Sequence, residues 1–403
     1  MRTLSIFQHN SDDDRRYYRA GQFGAEFPDL TFESRFALNT ALYENAFREN
    51  NKTIFTHQEG NDVARDKLKE FYTGLGMTVL TTKYCLHAGS YNFVFAYNAA
   101  VFEVVETSQV YYTQSGLSTT DEERNVLSRT DKVGIPSKDG QPGKIGAHLG
   151  EEFEKSAQLV RLRHIATGTT FLIVNTHLGL SMGMDPVTKV ISPEINHRML
   201  ALQKLCDALS REQGMVILTG DFNQFDARSS VPAIYYDQIR ILQNNGFHWA
   251  SEGLSRIGMK STFVCKPGDF FHLLSPEKVA AFKATLTSLT DPNERRQFVM
   301  RTIQEEGLNL IGICLDATFT RGLPQNAMVS VNAFTMFSRR VVNADTGAAE
   351  TIREVVNTSK VENSQEFHNR YLQHFINHRA DAGVEPPLPS DHFALATRIN
   401  FAP

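Results

Sequence analysis

The sequence predicts an α+β chain in which two mixed β-sheets pack face to face with helices outside. Three observations carry that reading. Strand-like and helical periodicities alternate along the whole chain, with no internal repeat and no long low-complexity linker. Several strands are joined as hairpins, which sheets packed face to face accommodate. The apolar strands also end repeatedly on amides, acids and imidazoles, which gathers polar chemistry at one rim. Composition sets the bounds. With 403 residues, 41% hydrophobic and 21% charged, the chain can bury a sizeable core and is neither disordered nor fibrous.

In chain order, "TLSIFQHN" alternates in the β manner and ends on Asn10. A helix follows in which Leu38, Ala41, Leu42 and Ala46 share one face. "KTIFTHQEGN" is a strand stopping at Glu59 and Gly60, with a helix from about Asp62. "YNFVFAYN" and "AVFEVVET" read as neighbouring strands. The clearest hairpin is "QLVRLRHIATGTTFLIVNTHL", turning at Gly168 and ending on His177. Next comes a helix with Ile195, Met199, Leu202, Cys206 and Leu209 in register. "GMVILTGDFN" is a strand running into a Gly-Asp turn, and "LDATFTRG", "AMVSVNAFTMF" and "HFALATRI" complete a β-rich set.

Four segments read as excursions: 113–156, 181–194, 266–310 and 339–388, the last holding a helix around "EFHNRYLQHFINH". In 266–310, Ser275–Pro276 and Asp291–Pro292 each supply an N-cap followed by proline at the first helical position. None of the four reads as an independent domain, so residues 1–403 are expected to form one catalytic unit.

The order "HQE … VNTHL … LTGDFN … LDATF … PSDH" resembles the endonuclease/exonuclease/phosphatase superfamily from Asn10 to His392. The resemblance implies a four-layer αββα sandwich and a phosphoesterase that uses Mg²⁺ or Mn²⁺. It implies Glu59 as the principal metal carboxylate, with Asn10 and Asp391 beside the ion. Asp221 matches the residue that orients or deprotonates the attacking water, Asn223 a phosphate ligand and His177 a transition-state stabiliser. Asp316 and His392 match an Asp–His pair beside the scissile phosphate, and Tyr97 falls near a phosphate-contacting tyrosine. The chemistry agrees. A hard cation held by few carboxylates offsets the charge of a phosphoester, for which cysteine would be too soft a ligand.

"NTHL", "GDFN" and "PSDH" are closer to the deadenylase, exonuclease and sphingomyelinase-like branches than to the inositol phosphatases. A nuclease acting on RNA or single-stranded ends is therefore expected. A phosphoinositide or sphingomyelin phosphoesterase and a catalytically silent binding module stand as alternatives. Within 266–310, Arg295, Arg296 or Lys278 could reach a phosphate and Phe298 could offer a stacking face. The net charge of −4 argues against a wide basic footprint for duplex DNA, though not against a focused cleft. Four widely spaced cysteines without a CxxC pair read as buried thiols of a reducing compartment, hence a cytoplasmic expectation. No apolar run approaches membrane-spanning length. His374 and His378 lack the glutamate of a zincin, and no GxSxG elbow occurs.

Overall fold

The computed structural model describes residues 1–11, 32–83, 92–112, 117–118, 156–178, 197–222, most of 236–254, 263–264, most of 275–306, 311–313, 316–342, 346–359 and 392–401. Two seven-stranded sheets form its centre.

The chain opens with β1 (Thr3–Asn10), α1 (Phe32–Glu49), β2 (Ile54–Gly60) and α2 (Asp62–Gly74). Next come β3 (Thr78–Lys83), β4 (Asn92–Tyr97), β5 (Phe102–Tyr112) and β6 (Leu117–Ser118). The hairpin of β7 (Ser156–His164) and β8 (Thr170–His177) leads to α3 (His197–Leu209) and β9 (Met215–Asp221). Then follow α4 (Tyr236–Asn244), β10 (His248–Trp249), β11 (Phe263–Val264) and α5 (Pro276–Ser288). The chain closes with β12 (Ile311–Ile313), β13 (Asp316–Arg321), β14 (Met328–Val342), β15 (Ala349–Asn357) and β16 (Ala394–Asn400).

The first sheet runs β15-β14-β16-β1-β2-β4-β3 and the second β10-β13-β9-β8-β7-β5-β6. Each is mixed: β1–β2 and β8–β9 are parallel pairs among antiparallel neighbours. Among the described residues, alternation fills three cores. Ile6, Ile54, Ile173 and Ile217 meet between the sheets. Phe7, Phe55 and Val94, on the other face of the first sheet, pack on Leu38 and Leu42 of α1 and Leu68 and Tyr72 of α2. Val174, Leu218 and Phe319, on the outer face of the second, pack on Leu202, Leu205 and Leu209 of α3 and Leu242 of α4. Period-2 strands and period-3.6 helices thus stack as helix, sheet, sheet, helix. The expected αββα sandwich is what the chain forms.

Caps and turns hold the elements in place. Asn61 closes the N-terminus of α2, its Oδ1 accepting from the Val63 and Ala64 amides at 2.9 and 3.0 Å. Ser275 caps α5 with proline following, as the sequence predicts.

Two readings need correction. The strands β4 and β5 follow one another in sequence but lie in different sheets, β4 between β2 and β3 and β5 between β7 and β6. The stretch after 339, expected to be an excursion, instead extends β14 to Val342 and returns as the edge strand β15. Its sequence "AETIREVVN" does carry four β-branched residues, Thr351, Ile352, Val355 and Val356, but charges interleaved among them read as a solvated loop until the pairing with β14 is known. The helix expected around 366–378 lies outside the described residues. In the helical insertion, β11 and β12 pair at the base of the segment, and helical backbone recurs between Glu294 and Glu305. Among the described residues no helix is long and apolar enough to cross a membrane.

Candidate metal and phosphate site

The layer between the sheets changes character toward one end. Isoleucines give way to a threonine row, in which Thr318 Oγ1 lies 3.2 Å from Thr219 Oγ1 and 3.0 Å from Thr397 Oγ1. Buried amides follow: Gln8, Gln58 and Asn175. At the rim stand Asn10, Glu59, His177, Asp221, Asp316 and His392. Polar groups are costly to bury unless bonded, so such a gradient is held together by its hydrogen bonds.

Register places the rim groups. On the second sheet His177, Asp221 and Asp316 pair across three adjacent strands, His177 with Asp221 and Asp221 with Asp316. Gly220 makes the close approach possible: with φ at 145°, it lies so near β8 that a Cβ would sit 1.9 Å from the Thr176 carbonyl oxygen. The Leu178 amide donates to the Asp221 carbonyl at 2.9 Å, and buried Phe222 packs edge-on against Phe319, fixing the turn beyond Asp221.

On the first sheet Asn10 pairs with Gln58, and Glu59 follows in an irregularity where β2 slips against β4. Glu59 has φ of 59°, the one left-handed non-glycine among the described residues. That conformation costs on the order of 1–2 kcal/mol, and it turns the carboxylate out of the strand's alternation toward the other sheet.

The side chains converge across the gap. His177 Nε2 lies 3.4 Å from both Glu59 Oε1 and Asp221 Oδ2. Asn10 Nδ2 donates to Asp221 Oδ2 at 2.9 Å and stands 3.4 Å from His392 Nε2. His392 Nδ1 lies 2.7 Å from Asp316 Oδ2; a carboxylate only accepts, so Nδ1 carries the proton in this contact. The expected Asp–His contact is present.

A divalent cation fits this donor set. One ligand atom from each of Glu59, His177 and Asp221 falls within 4.8 Å of the others. Ligands about 2.1 Å from a small ion lie about 3–4.2 Å apart, and two carboxylates with an imidazole and a neighbouring amide suit a hard or borderline metal.

Beneath the rim, on the helix side of the first sheet, lies a histidine–tyrosine layer that sequence reading missed. His9 Nδ1 is 2.7 Å from Tyr43 Oη and His57 Nε2 is 2.7 Å from Tyr72 Oη. Burial, with His9 nearby, holds His57 well below the usual imidazole range, so it packs as a neutral ring. The signal in the sequence was its alternation, which puts His9 and His57 on the face opposite Asn10 and Gln58.

Of the other expected site residues, Tyr97 is not brought to this rim. Tyr97 stands at the far end of β4, buried with Phe95 in the inter-sheet core; the rim end of that strand is Asn92, whose Nδ2 donates to the Gly60 carbonyl at 3.0 Å. Antiparallel pairing with β2 reverses β4, so its first residue rather than its last lies opposite Gly60, next to Glu59. Lys278 is ion-paired to Glu306 at 2.5 Å, and Phe298 stacks on Phe282 at 5.0 Å, so both close the insertion on itself. Asn223, Arg295, Arg296 and Asp391 lie outside the described residues.

A crystal structure of an endonuclease/exonuclease/phosphatase family protein from Bacteroides thetaiotaomicron superimposes over 99% of this chain and 98% of that one, with a TM-score of 0.50 at 15% identity. The chain has the endonuclease/exonuclease/phosphatase fold. A mannosyl-6-phosphatase of Bacteroides thetaiotaomicron aligns over 99% of this chain and 100% of its own at 15% identity and a TM-score of 0.49. The catalytic domain of human Nocturnin, with bound sulfate, aligns over 100% and 96% at 13% identity and a TM-score of 0.49. No protein-family model matches the sequence, and neither does any curated protein.

Proposed function

We propose that the chain is a divalent-metal-dependent phosphodiesterase, that residues 1–403 serve this one catalytic unit, and that its substrate is RNA or a single-stranded nucleic-acid end. The observation that carries the reading is the meeting of Glu59, His177 and Asp221 within reach of one ion, beside the Asp316–His392 pair. A turn or a cap would account for one of these groups. It does not account for six arriving from both sheets of this particular fold. The nucleic-acid part rests on the "NTHL", "GDFN" and "PSDH" forms.

Glu59 would anchor the cation with Asn10 and Asp391 beside it, and Asp221 and His177 within its reach. Mg²⁺ or Mn²⁺ there would supply positive charge against the phosphoryl oxygens and the leaving oxygen. Asp221, fixed by the Asn10 amide, orients a water and takes its proton as the water attacks phosphorus in line. His177 faces the position where a non-bridging oxygen gains charge as phosphorus becomes five-coordinate. Asp316 holds the His392 ring so that Nε2 faces the same place. Asn223 is assigned to a phosphate oxygen on its motif alone. The P–O bond opposite the water breaks, and the departing oxygen takes a proton from solvent, giving an alcohol and a phosphomonoester.

The test is hydrolysis of poly(A), single-stranded DNA, phosphoinositide vesicles and sphingomyelin with Mg²⁺ or Mn²⁺, by the wild type and Asp221→Asn. Nucleotide release that drops on the order of 10²–10⁴-fold in the variant supports the reading. Hydrolysis confined to a lipid would keep the phosphoesterase and overturn the nucleic-acid substrate. Failure on all four would overturn both.

A further inference from the structure

Behind the rim, five buried groups and one threonine form a chain of hydrogen bonds that crosses between the sheets. Gln8 Nε2 donates to Asp316 Oδ1 at 2.9 Å and to Gln58 Oε1 at 2.8 Å. Gln58 Nε2 donates to Asn175 Oδ1 at 2.5 Å. Asn175 Nδ2 donates to the His57 carbonyl at 3.2 Å and Gln158 Oε1 at 3.5 Å, and Gln158 Nε2 donates to Thr82 Oγ1 at 2.7 Å. Gln8, Gln58, Asn175 and Gln158 are at most 2% exposed, so water does not offer them an easy alternative partner.

The direction of every link follows from one charge. An ionised carboxylate can only accept, so Gln8 must turn its nitrogen to Asp316. Its second N–H then meets the Gln58 oxygen, which turns the Gln58 nitrogen to Asn175, and so on to Thr82. Reversing any one amide would set oxygen against oxygen or nitrogen against nitrogen at a neighbour. In a low-dielectric interior such chains reinforce one another, and a broken link leaves its neighbours unpaired.

We infer that Gln8 is a positioning residue: by donating to both Asp316 and Gln58 it fixes the Asp316–His392 pair and sets the spacing between Glu59 and His177. The first half is a direct contact, because Asp316 accepts from Gln8 through Oδ1 and from His392 through Oδ2. The second follows from chain position. Gln58 immediately precedes Glu59 on one sheet, Asn175 precedes His177 by two on the other, and their bond crosses the gap. No atom of Gln8 needs to touch substrate.

This inference rests on the phosphodiesterase reading for its kinetic part and is independent of it for its structural part. Three variants separate it from simple packing. Gln8→Met keeps the volume and removes both donors; Gln8→Glu keeps the shape and sets a second carboxyl group against Asp316. Asp316→Asn, alone and with Gln8→Met, closes a double-mutant cycle. In the folded proteins kcat is expected to fall on the order of 10–100-fold in both Gln8 variants, with KM nearly unchanged. The double variant should be no slower than Asp316→Asn alone, because both lesions act through one pair. In the metal-free protein, the far-downfield proton NMR signal of the His392 Nδ1–H should weaken or shift in both Gln8 variants. That measurement needs no turnover, so it still decides the role of Gln8 if no substrate is hydrolysed. A Gln8→Glu protein with wild-type kcat and an unmoved His392 signal would overturn the inference. Losses that add fully in the double variant would do the same.

Discussion

Replacing Gly220 by alanine should cost far more than its single added carbon suggests. Gly220 has φ of 145°, and a Cβ there would stand 1.9 Å from the Thr176 oxygen and 2.8 Å from its carbonyl carbon. Ordinary contact begins near 3.4 Å, so β8 and β9 would have to part by about 1.5 Å at this pair. These are backbone atoms in a paired ladder, where no side chain can swing aside. The backbone conformation alone costs about 1–3 kcal/mol for a residue with a Cβ. Parting the strands leaves one or two buried hydrogen bonds poorly made, at about 1–3 kcal/mol each. About 4 kcal/mol in total is a reasonable expectation. Gly168 is the matched control: its φ is 68°, yet nothing lies within 4 Å of its Cβ position, so Gly168→Ala should cost only the conformational term, about 1 kcal/mol. Urea unfolding of the two variants beside the wild type measures both. Because His177 and Asp221 are the next residues on the two strands, the folded Gly220→Ala protein should also turn over on the order of 100-fold more slowly. If the two variants unfold within about 1 kcal/mol of each other and Gly220→Ala keeps full turnover, the close approach is not what builds the rim.

Three further outcomes are expected. Glu59→Gly should relieve the left-handed strain and raise stability by about 1 kcal/mol in calorimetry while removing divalent binding, whereas Glu59→Gln should lose on the order of 10³-fold in rate without unfolding. Burial pushes the Cys206 thiol from 9.0 up to about 12. The folded state therefore favours the neutral thiol, a contribution complete below pH 9 and lost as pH climbs from 9 toward 12. By pH 10 the wild type should have lost about 1.4 kcal/mol more than Cys206→Ala, read from unfolding curves at pH 8 and 10, and the native thiol should resist iodoacetamide. Lys278→Ala breaks a pair whose lysine is 56% exposed, so stability should move by less than about 1 kcal/mol and KM for a polynucleotide should stay put.

Much of the fold was legible because the strands and helices that build it keep their periods. The alternation in "TLSIFQHN" and "FLIVNTH" set which residues face inward, and Asn10 and His177 followed directly. What stayed hidden depends on pairing between distant segments. Which sheet received β4 and β5 is decided by partners far along the chain, and Tyr97 was misplaced because strand direction cannot be read from alternation. β15 was missed because an edge strand buries little, and the charges interleaved among its β-branched residues read as a solvated loop. The same limit applies to the site. The six rim residues stood out as polar groups closing apolar strands. Gln8, Gln58, Asn175 and Gln158 did not, because an amide inside a strand looks like an ordinary surface position until its partner on the other sheet is known.

The most direct measurement is the initial rate on bis(p-nitrophenyl) phosphate, taken after exhaustive EDTA treatment and again through a Mn²⁺ titration, for the wild type, Glu59→Gln and Asp221→Asn. The expected result is a stripped enzyme without turnover, a saturable return of rate in the wild type, and no comparable return in either variant although both remain folded by circular dichroism. Full turnover in the stripped protein, or variants that regain the wild-type rate at the same Mn²⁺ concentration, would contradict a metal-dependent phosphoesterase centred on Glu59, His177 and Asp221.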